Sequence, residues 1–353
     1  MDILELLDIT NRRDASDLHL IVGNKPTLRV DGELVALIDK DIITPEEAEH
    51  LIFSILTSEQ KELYLANKEL DFSYATKEAR FRVNVYFQQA GMTAAFRLIP
   101  LKIRAIDELN LPAICHTFAS LRQGFILVTG PTGHGKSTTL SAIINEINQT
   151  RATHIVTIED PIEYVYPRGK SIISQREMHL DTHSWDVALR SCLREDPDVV
   201  LIGEMRDYET IAAALTIAET GHLVFATLHT NSAAQTVDRI VDVFPEHSKA
   251  QVRMQLAGTL EGIFSQRLLP AINGGRIPAC EILIATPAVK STIRDGKSHL
   301  IDNIIQTSGE LGMLLLENTL ARLVKSGKIE KTVAQNFAIR PDELDRLLLG
   351  RRG

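Results

Sequence analysis

The chain has 353 residues, 44% hydrophobic and 24% charged, with a formal net charge of −8. That length suits about two domains and that composition is globular, which excludes a disordered or fibrous chain. The acidic balance gives no electrostatic footprint for nucleic acid, and no apolar run approaches the ~18 residues of a bilayer span. The acidic start, MDILELLD, is unlike a basic signal peptide, so a cytoplasmic location is expected. Cys115, Cys192 and Cys280 lie far apart and form no C-x-x-C pair, so reduced, buried thiols are expected rather than disulfides or zinc.

Residues 3 to 9 make a short amphipathic helix, and Leu18 to Val22 and Thr27 to Leu37 read as strands. Asp31-Gly32 interrupts the second run as a two-residue hairpin turn. Thr44-Pro45-Glu46-Glu47 combines an N-cap, a Pro at the first helical position and a capping-box Glu. The helix that follows turns Ala48, Leu51, Ile52 and Ile55 inward, so a mixed α+β first domain is expected over 1–98. Phe81, Val83, Val85 and Phe87 share one face of a strand, and Ala94, Phe96 and Leu98 share one face of the next. If these strands pair, Arg82 and Arg97 project from the same opposite face. There they either meet a phosphate on another domain or subunit or lie on a solvated sheet face, and the strand pattern does not choose. The proline-flanked stretch 99–112 reads as an interdomain linker.

The segment 113–353 opens on a stronger signal. Phe125 to Thr129 is an apolar strand, and Leu140, Ile143, Ile144 and Ile147 mark a helix beginning near Lys136. Between them Gly130, Gly133, Gly135, Lys136 and Ser137 satisfy G-x-x-x-x-G-K-S/T in the required strand-loop-helix context. Such a loop wraps phosphate oxygens with backbone N–H groups at a helix N-terminus. Lys136 adds a charge at the β/γ-phosphates, and Ser137 ligates Mg²⁺. Gly130, Pro131, Thr132, Gly133, His134, Gly135, Lys136, Ser137 and Thr138 are therefore the expected ATP contacts. His134 fills a free position of the motif and is expected to face solvent. Strands at 154–158, 198–202 and 222–228 then alternate with helices near 184–194 and at 208–219, which argues for a parallel sheet covered by helices. From Glu246 onward helices are expected, the first with Val252, Leu256, Leu260, Ile263 and Phe264 on one stripe.

Hydrolysis needs further carboxylates. Asp198 to Ile202 is an apolar strand followed by Gly203-Glu204, which is how a Walker B element presents an acid to Mg²⁺, although Gly203 stands where an Asp is usual. Glu159-Asp160-Pro161-Ile162-Glu163 is a second acidic loop at a strand end, with Glu163 as a candidate general base; ordinary capping acids would look the same. Arg190 and Arg194 are four apart and so are expected to share one helix face, and Arg206 follows the Walker B strand; spacing alone leaves arginine fingers and a solvated face both open. His222 and His229 bracket the strand 223–228, and His229 is placed to sense phosphate, whereas His222 reads as a surface histidine. His179 and His183 lack a third ligand and are not read as a metal site.

Taken together, these residues resemble the type II/IV secretion and pilus motor ATPases, and within them the type IV pilus retraction ATPases. The likeness runs from Ala15-Ser16-Asp17-Leu18-His19-Leu20 through Gly130–Ser137, Glu159–Glu163, Asp198–Asp207 and Gly221–Asn231. It implies a PAS-like N-terminal domain, a RecA-like ATPase domain with a helical C-terminal end, and a ring-shaped homohexamer whose domain closure drives pilus disassembly. It also implies ATP and Mg²⁺ as cofactors, with Glu163 catalytic, Glu204 at the metal, His229 near phosphate, and Arg82, Arg97, Arg190 and Arg194 acting on the nucleotide. The implied partner is an inner-membrane pilus platform protein, reached without direct membrane insertion and without nucleic acid.

Two departures stand against the resemblance. Ala288-Val289-Lys290-Ser291-Thr292-Ile293-Arg294-Asp295 replaces the usual Ala-Ile-Arg-Asn-Leu-Ile-Arg-Glu, and Leu314-Leu315-Leu316 follows Gly312-Met313 in place of a more polar pattern. An accessory retraction paralogue, a pilus-extension or type II secretion ATPase, a RecA-like nucleic-acid translocase and a regulatory module without turnover are the rival readings. Extension and secretion ATPases usually carry two C-x-x-C pairs before the C-terminal helices and a long additional N-terminal region. Here Ser265 to Cys280 holds one cysteine and that region is missing, which favours retraction.

Overall fold

The structure, a computed structural model, describes residues 1–349 apart from Asp31, Ala90, Pro100 and Leu101. It divides into two compact units, Met1–Lys102 with Pro161–Val165, and Ile103–Asp160 with Tyr166–Gly353.

The first unit runs α1 (Ile3–Arg12), β1 (Asp17–Leu20), β2 (Thr27–Val30), β3 (Glu33–Ala36), α2 (Pro45–Phe53), α3 (Ser58–Asn67), β4 (Glu69–Ala75), β5 (Arg80–Gln88) and β6 (Gly91–Ile99). Its antiparallel sheet has the order β3-β2-β1-β6-β5-β4. Val30 pairs with Glu33, so two residues connect β2 to β3, although the expected turn residue Asp31 lies outside the described residues. The alternation of β5 places Phe81, Val83 and Val85 in the core with Leu6, Leu18 and Leu51, while Arg82 pairs directly opposite Arg97 on the other face. Sequence reading missed α3 and β4. The signal for α3 was present in Thr57-x-x-Gln60, which forms a reciprocal capping box.

The second unit contains α4 (Ile114–Ser120), β7 (Gly124–Thr129), α5 (Lys136–Thr150), β8 (His154–Glu159), β9 (Ile172–Glu177), α6 (Trp185–Cys192), β10 (Val199–Ile202), α7 (Tyr208–Glu219), β11 (Leu223–Leu228), α8 (Ala233–Asp242) and α9 (Lys249–Thr259). It continues through β12 (Leu260–Pro270), β13 (Arg276–Ile284), α10 (Pro287–Arg294), α11 (Ile301–Thr307), α12 (Leu316–Lys325), α13 (Lys331–Phe337) and α14 (Pro341–Leu348). The sheet order is β13-β12-β7-β11-β10-β8-β9, parallel throughout except for the antiparallel edge strand β13.

Helices cover both faces, which is why the central strands read as unbroken apolar runs. Phe125, Leu127, Val200, Ile202, Val224 and Ala226 point into one layer with α6, α7 and α9. Ile126, Val128, Val199, Leu201 and Phe225 point into the other with α4 and α5. Ile106 and Leu111, from the stretch read as a linker, are buried in that second layer beside Cys115 and Phe118.

Two expectations fail here. The apolar stripe from Val252 to Phe264 is not one helix, because α9 ends at Thr259 and Leu260 starts β12. A short apolar run fits either a buried strand or a buried helix. Here the hydrogen-bonding partners decide, since β12 adds to the edge of β7 and receives β13 on its other side. Arg190 and Arg194 likewise do not share a helix face. α6 stops at Cys192, with Pro197 close behind, and the Arg194 N–H closes a turn onto the Ser191 carbonyl.

Phe264, fully buried under α4 and α5, tests the packing of β12 into this layer. Phe264→Ala should lower the unfolding free energy by about 3–5 kcal/mol in urea titration, and a change below about 1 kcal/mol would show that this side chain is not in the core.

Candidate nucleotide-binding site

Parallel pairing aligns the carboxyl ends of the central strands, with Thr129 of β7 opposite Leu228 of β11, and Ile202 of β10 between Ala226 and Ile158. The loops that follow therefore emerge along one sheet edge, where open α/β folds place ligands. Gly130 to Gly135 leaves β7, Glu204 leaves β10 and His229 leaves β11.

The phosphate loop needs its glycines for two different reasons. Gly133 and Gly135 hold φ of 78° and 82°, which side chains rarely adopt. At Gly130 (φ 141°) a Cβ would also lie 2.3 Å from the Gln266 carbonyl oxygen. Gly135 is the N-cap of α5 and supplies no side-chain acceptor, whereas Ser184, Asp207 and Ser232 cap α6, α7 and α8. The first amides of α5 are thus directed to an anion by the helix dipole, with the Lys136 ammonium beside them.

Lys136 is 8% exposed. Its ammonium donates to the Gly130 and Pro131 carbonyls at 2.9 and 3.1 Å and lies 3.3 Å from His229 Nδ1. An ammonium only donates, so Nδ1 accepts and Nε2–H points to Glu204 Oε1, 2.9 Å away. Arg206 Nη2 closes the chain on Glu204 Oε2 at 2.8 Å. Burial works against the Glu204 carboxylate, but the Arg206 hydrogen bond and the field of His229, Arg206 and Lys136 outweigh it and hold its pKa below the usual value. Thr132 is exposed, with Oγ1 3.4 Å from His229 Nδ1; Ser137 and Thr138, in the first turn of α5, are half-buried.

Gly203 has a structural reason for replacing the usual acid. A Cβ there would sit 3.2 Å from both Glu159 Cα and the Ile158 carbonyl, leaving no room for a side chain without movement of β8. Glu159 is buried and accepts hydrogen bonds from Thr157 Oγ1 at 2.7 Å and Gln175 Nε2 at 3.3 Å.

His134 does not face solvent. Its Nδ1 accepts the Leu268 N–H at 2.9 Å, and its ring lies 6.1 Å from that of Phe337. Burial, then Arg267, Lys136 and Arg276, push its pKa down, which suits the neutral, accepting imidazole. Sequence reading also missed Gln266. This side chain, 2% exposed, donates from Nε2 to the His134 carbonyl at 2.6 Å and accepts at Oε1 from Thr139 Oγ1 at 2.6 Å. It pins the loop to the start of α5. The available signal was the polar triplet Ser265-Gln266-Arg267 set between the apolar pairs Ile263-Phe264 and Leu268-Leu269.

The other expected residues belong to other elements. Arg82 and Arg97 belong to the first unit, where Arg97 Nε pairs with Asp17 at 2.9 Å. Glu163 sits in Pro161–Val165, which groups with that unit. Arg190 is exposed and paired with Asp186 one turn earlier at 2.8 Å. His222 Nδ1 lies 3.0 Å from the Ile217 carbonyl and 3.0 Å from Thr220 Oγ1, at the end of α7. The oxygen donors expected for Mg²⁺ are the Ser137 hydroxyl and the Glu204 carboxylate. Among the described residues no cluster of three or more His, Cys, Asp or Glu could hold a metal. That sparse oxygen set fits an ion that keeps water and phosphate ligands rather than an all-protein cage.

The chain has relatives among known proteins along most of its length. The family described as type II/IV secretion system protein matches residues 5–326. The type IV pilus retractation ATPase PilT of Pseudomonas aeruginosa is 47% identical over 343 residues, 97% of this chain and 99% of that protein. A twitching motility protein of Neisseria gonorrhoeae is 47% identical over 338 residues, 95% of this chain and 90% of that protein. The crystal structure of the pilus retraction motor PilT with bound ADP superposes with a TM-score of 0.92 at 44% identity, covering 98% of this chain and 99% of that one.

Gln266→Leu leaves the His134 carbonyl and the Thr139 hydroxyl without their partner. Its affinity for fluorescent ADP should fall by about tenfold or more, and unchanged affinity in a folded variant would contradict the pinning role.

Proposed function

The chain belongs to the type II/IV secretion system protein family, and from that premise we propose that it is a Mg²⁺-dependent ATPase that powers retraction of type IV pili. The observation that carries this reading is the contact chain Lys136–His229–Glu204, which joins the phosphate loop to the ends of two further strands. In this reading the first unit is a PAS-like domain and the second a RecA-like ATPase domain. Six copies form a ring at the cytoplasmic face of the inner membrane, against the pilus platform protein.

The residues divide the work. Lys136 and the first amides of α5 bind the β- and γ-phosphates. Ser137 and Glu204 would hold Mg²⁺, which would supply positive charge against the phosphates. His229, already in contact with both Lys136 and Glu204, reports whether a γ-phosphate is present. Glu163 orients water and takes its proton, and Arg82, Arg97, Arg190 and Arg194 stabilise the transferring charge, some from a neighbouring subunit.

The altered 288–295 segment supports a second reading, an accessory retraction ATPase. Its helix, α10, buries Val289 and Ile293, so those two positions stay apolar, while the changed residues Lys290, Ser291 and Thr292 are half-buried and Asp295 is exposed.

Glu163→Gln should retain ATP while phosphate release falls by about 10²-fold or more; wild-type turnover in that variant would remove Glu163 as the base. In cells, deletion should leave surface pili present or accumulated and abolish twitching. Pilus-free cells restored by complementation, seen by electron microscopy, would mean that the protein builds pili. Twitching lost only when a paralogue is also deleted would favour the accessory role.

A further inference from the structure

A second polar cluster lies behind the phosphate loop, among the C-terminal helices. Glu281 on β13 and Glu317 on α12 are 1% and 0% exposed. Both meet one cation, with Arg340 Nη1 3.0 Å from Glu281 Oε2 and 2.9 Å from Glu317 Oε2. Arg340 Nη2 lies 2.6 Å from Asp302 Oδ2 on α11. Glu317 Oε1 also accepts the backbone N–H groups of Ile339 and Arg340, at 2.9 and 2.8 Å, which holds Arg340 itself in place.

The other oxygen of Glu281 reaches towards the nucleotide edge. Oε1 accepts the N–H of Ala233 at 2.8 Å, and Ala233 is the first residue of α8. The loop from β11 to α8 runs from His229 to Ser232. It is held further by Arg267, which donates to Asn231 Oδ1 at 3.2 Å, and by the Thr230–Thr236 hydroxyl pair at 2.7 Å. On the sheet, Glu281 opposes Ser265 and Cys280 opposes Gln266, so the strand that carries Glu281 backs the strand that pins the phosphate loop.

We propose that Arg340 is a positioning residue for the nucleotide site: it holds the Glu281 carboxylate where that carboxylate fixes the start of α8, and through it the loop that presents His229 to Lys136 and Glu204. The inference rests on the nucleotide-site reading above and concerns how that site is kept in register. It makes the C-terminal helices part of the phosphate-sensing loop's support, because α11, α12 and the α13–α14 turn all converge on the one guanidinium.

The charge balance gives a distinctive signature. Facing Glu281 are Arg340, Asp302 from α11, Glu317 from α12 and Arg267 from β12. Burial already raises the Glu281 pKa, and the Ala233 N–H and Arg340 work against that rise. Without Arg340 the carboxylates of Glu281 and Glu317 are buried with little to neutralise them, and a buried charge stripped of its partner is costly. The Glu281 pKa then rises further. The sign follows: the defect is largest at high pH, where Glu281 is ionised, and shrinks as falling pH protonates it.

The test measures equilibrium affinity for fluorescent ADP, together with KM and kcat for ATP, in full-length wild type, Arg340→Met and Arg340→Lys at pH 6.0 and 8.5. Arg340→Met should bind ADP about tenfold more weakly than wild type at pH 8.5, with the gap closing several-fold at pH 6.0. Arg340→Lys, which restores the charge, should recover part of the affinity at pH 8.5. A folded Arg340→Met chain with wild-type affinity at both pH values overturns the proposal. If Arg340→Met does not fold, Glu281→Leu and Glu281→Gln decide. Glu281→Leu loses the acceptor for the Ala233 N–H and should weaken binding, while Glu281→Gln keeps an amide oxygen there and should restore it relative to Glu281→Leu; equal affinities overturn the proposal. A wild-type chain that binds ADP without turning over ATP would defeat the hydrolytic reading and leave this affinity comparison intact.

Discussion

Everything at the candidate site depends on one constraint, the common register of parallel strands buried on both faces. β7, β11 and β10 carry apolar residues into two helix layers at once, so a slip of one residue would move each set to the wrong layer. That penalty fixes where each strand ends. Because the ends are fixed, Lys136, His229 and Glu204, which are far apart in the chain, meet within hydrogen-bonding distance without any direct link between their loops. The chemistry of the site is a consequence of core packing.

A second constraint comes from the opposite side of the loop. β12 approaches β7 so closely that Gly130 admits no Cβ, and its Gln266 and Leu268 hydrogen-bond the loop at His134. The phosphate loop is therefore clamped between the sheet edge in front and the β12–β13 hairpin behind. The C-terminal helices pack on that hairpin: Thr319 of α12 bonds to the Cys280 carbonyl, and Leu269 and Ala279 join the cluster of α12, α13 and α14. Changes in those helices have a short mechanical route to the nucleotide edge.

Much of this was legible in the sequence, for identifiable reasons. The glycine spacing of the phosphate loop, the apolar strands and the N-cap signals are local, and the structure gives α7 its expected range of Tyr208–Glu219. The parts that were not legible are those that non-local contacts decide. The run from Leu260 to Phe264 has helical spacing, yet becomes a strand because β7 presents an unpaired edge. His134 looked like a free loop position because its partner, Leu268, is distant in sequence. The spacing of Arg190 and Arg194 suggested one helix face, but α6 ends between them. Gly203 looked like a defect in a metal-binding strand, and the neighbouring Glu159 backbone explains it.

The most direct measurement of the central claim is steady-state phosphate release from ATP by the purified wild-type chain, with Mg²⁺ and with excess chelator. With the proposed roles, Lys136 holding the phosphates and Ser137 and Glu204 the metal, phosphate should be released with Mg²⁺ and release should fall by at least about 10²-fold without it. Equal release in the two conditions, or no ATP-dependent release in either, would contradict the account.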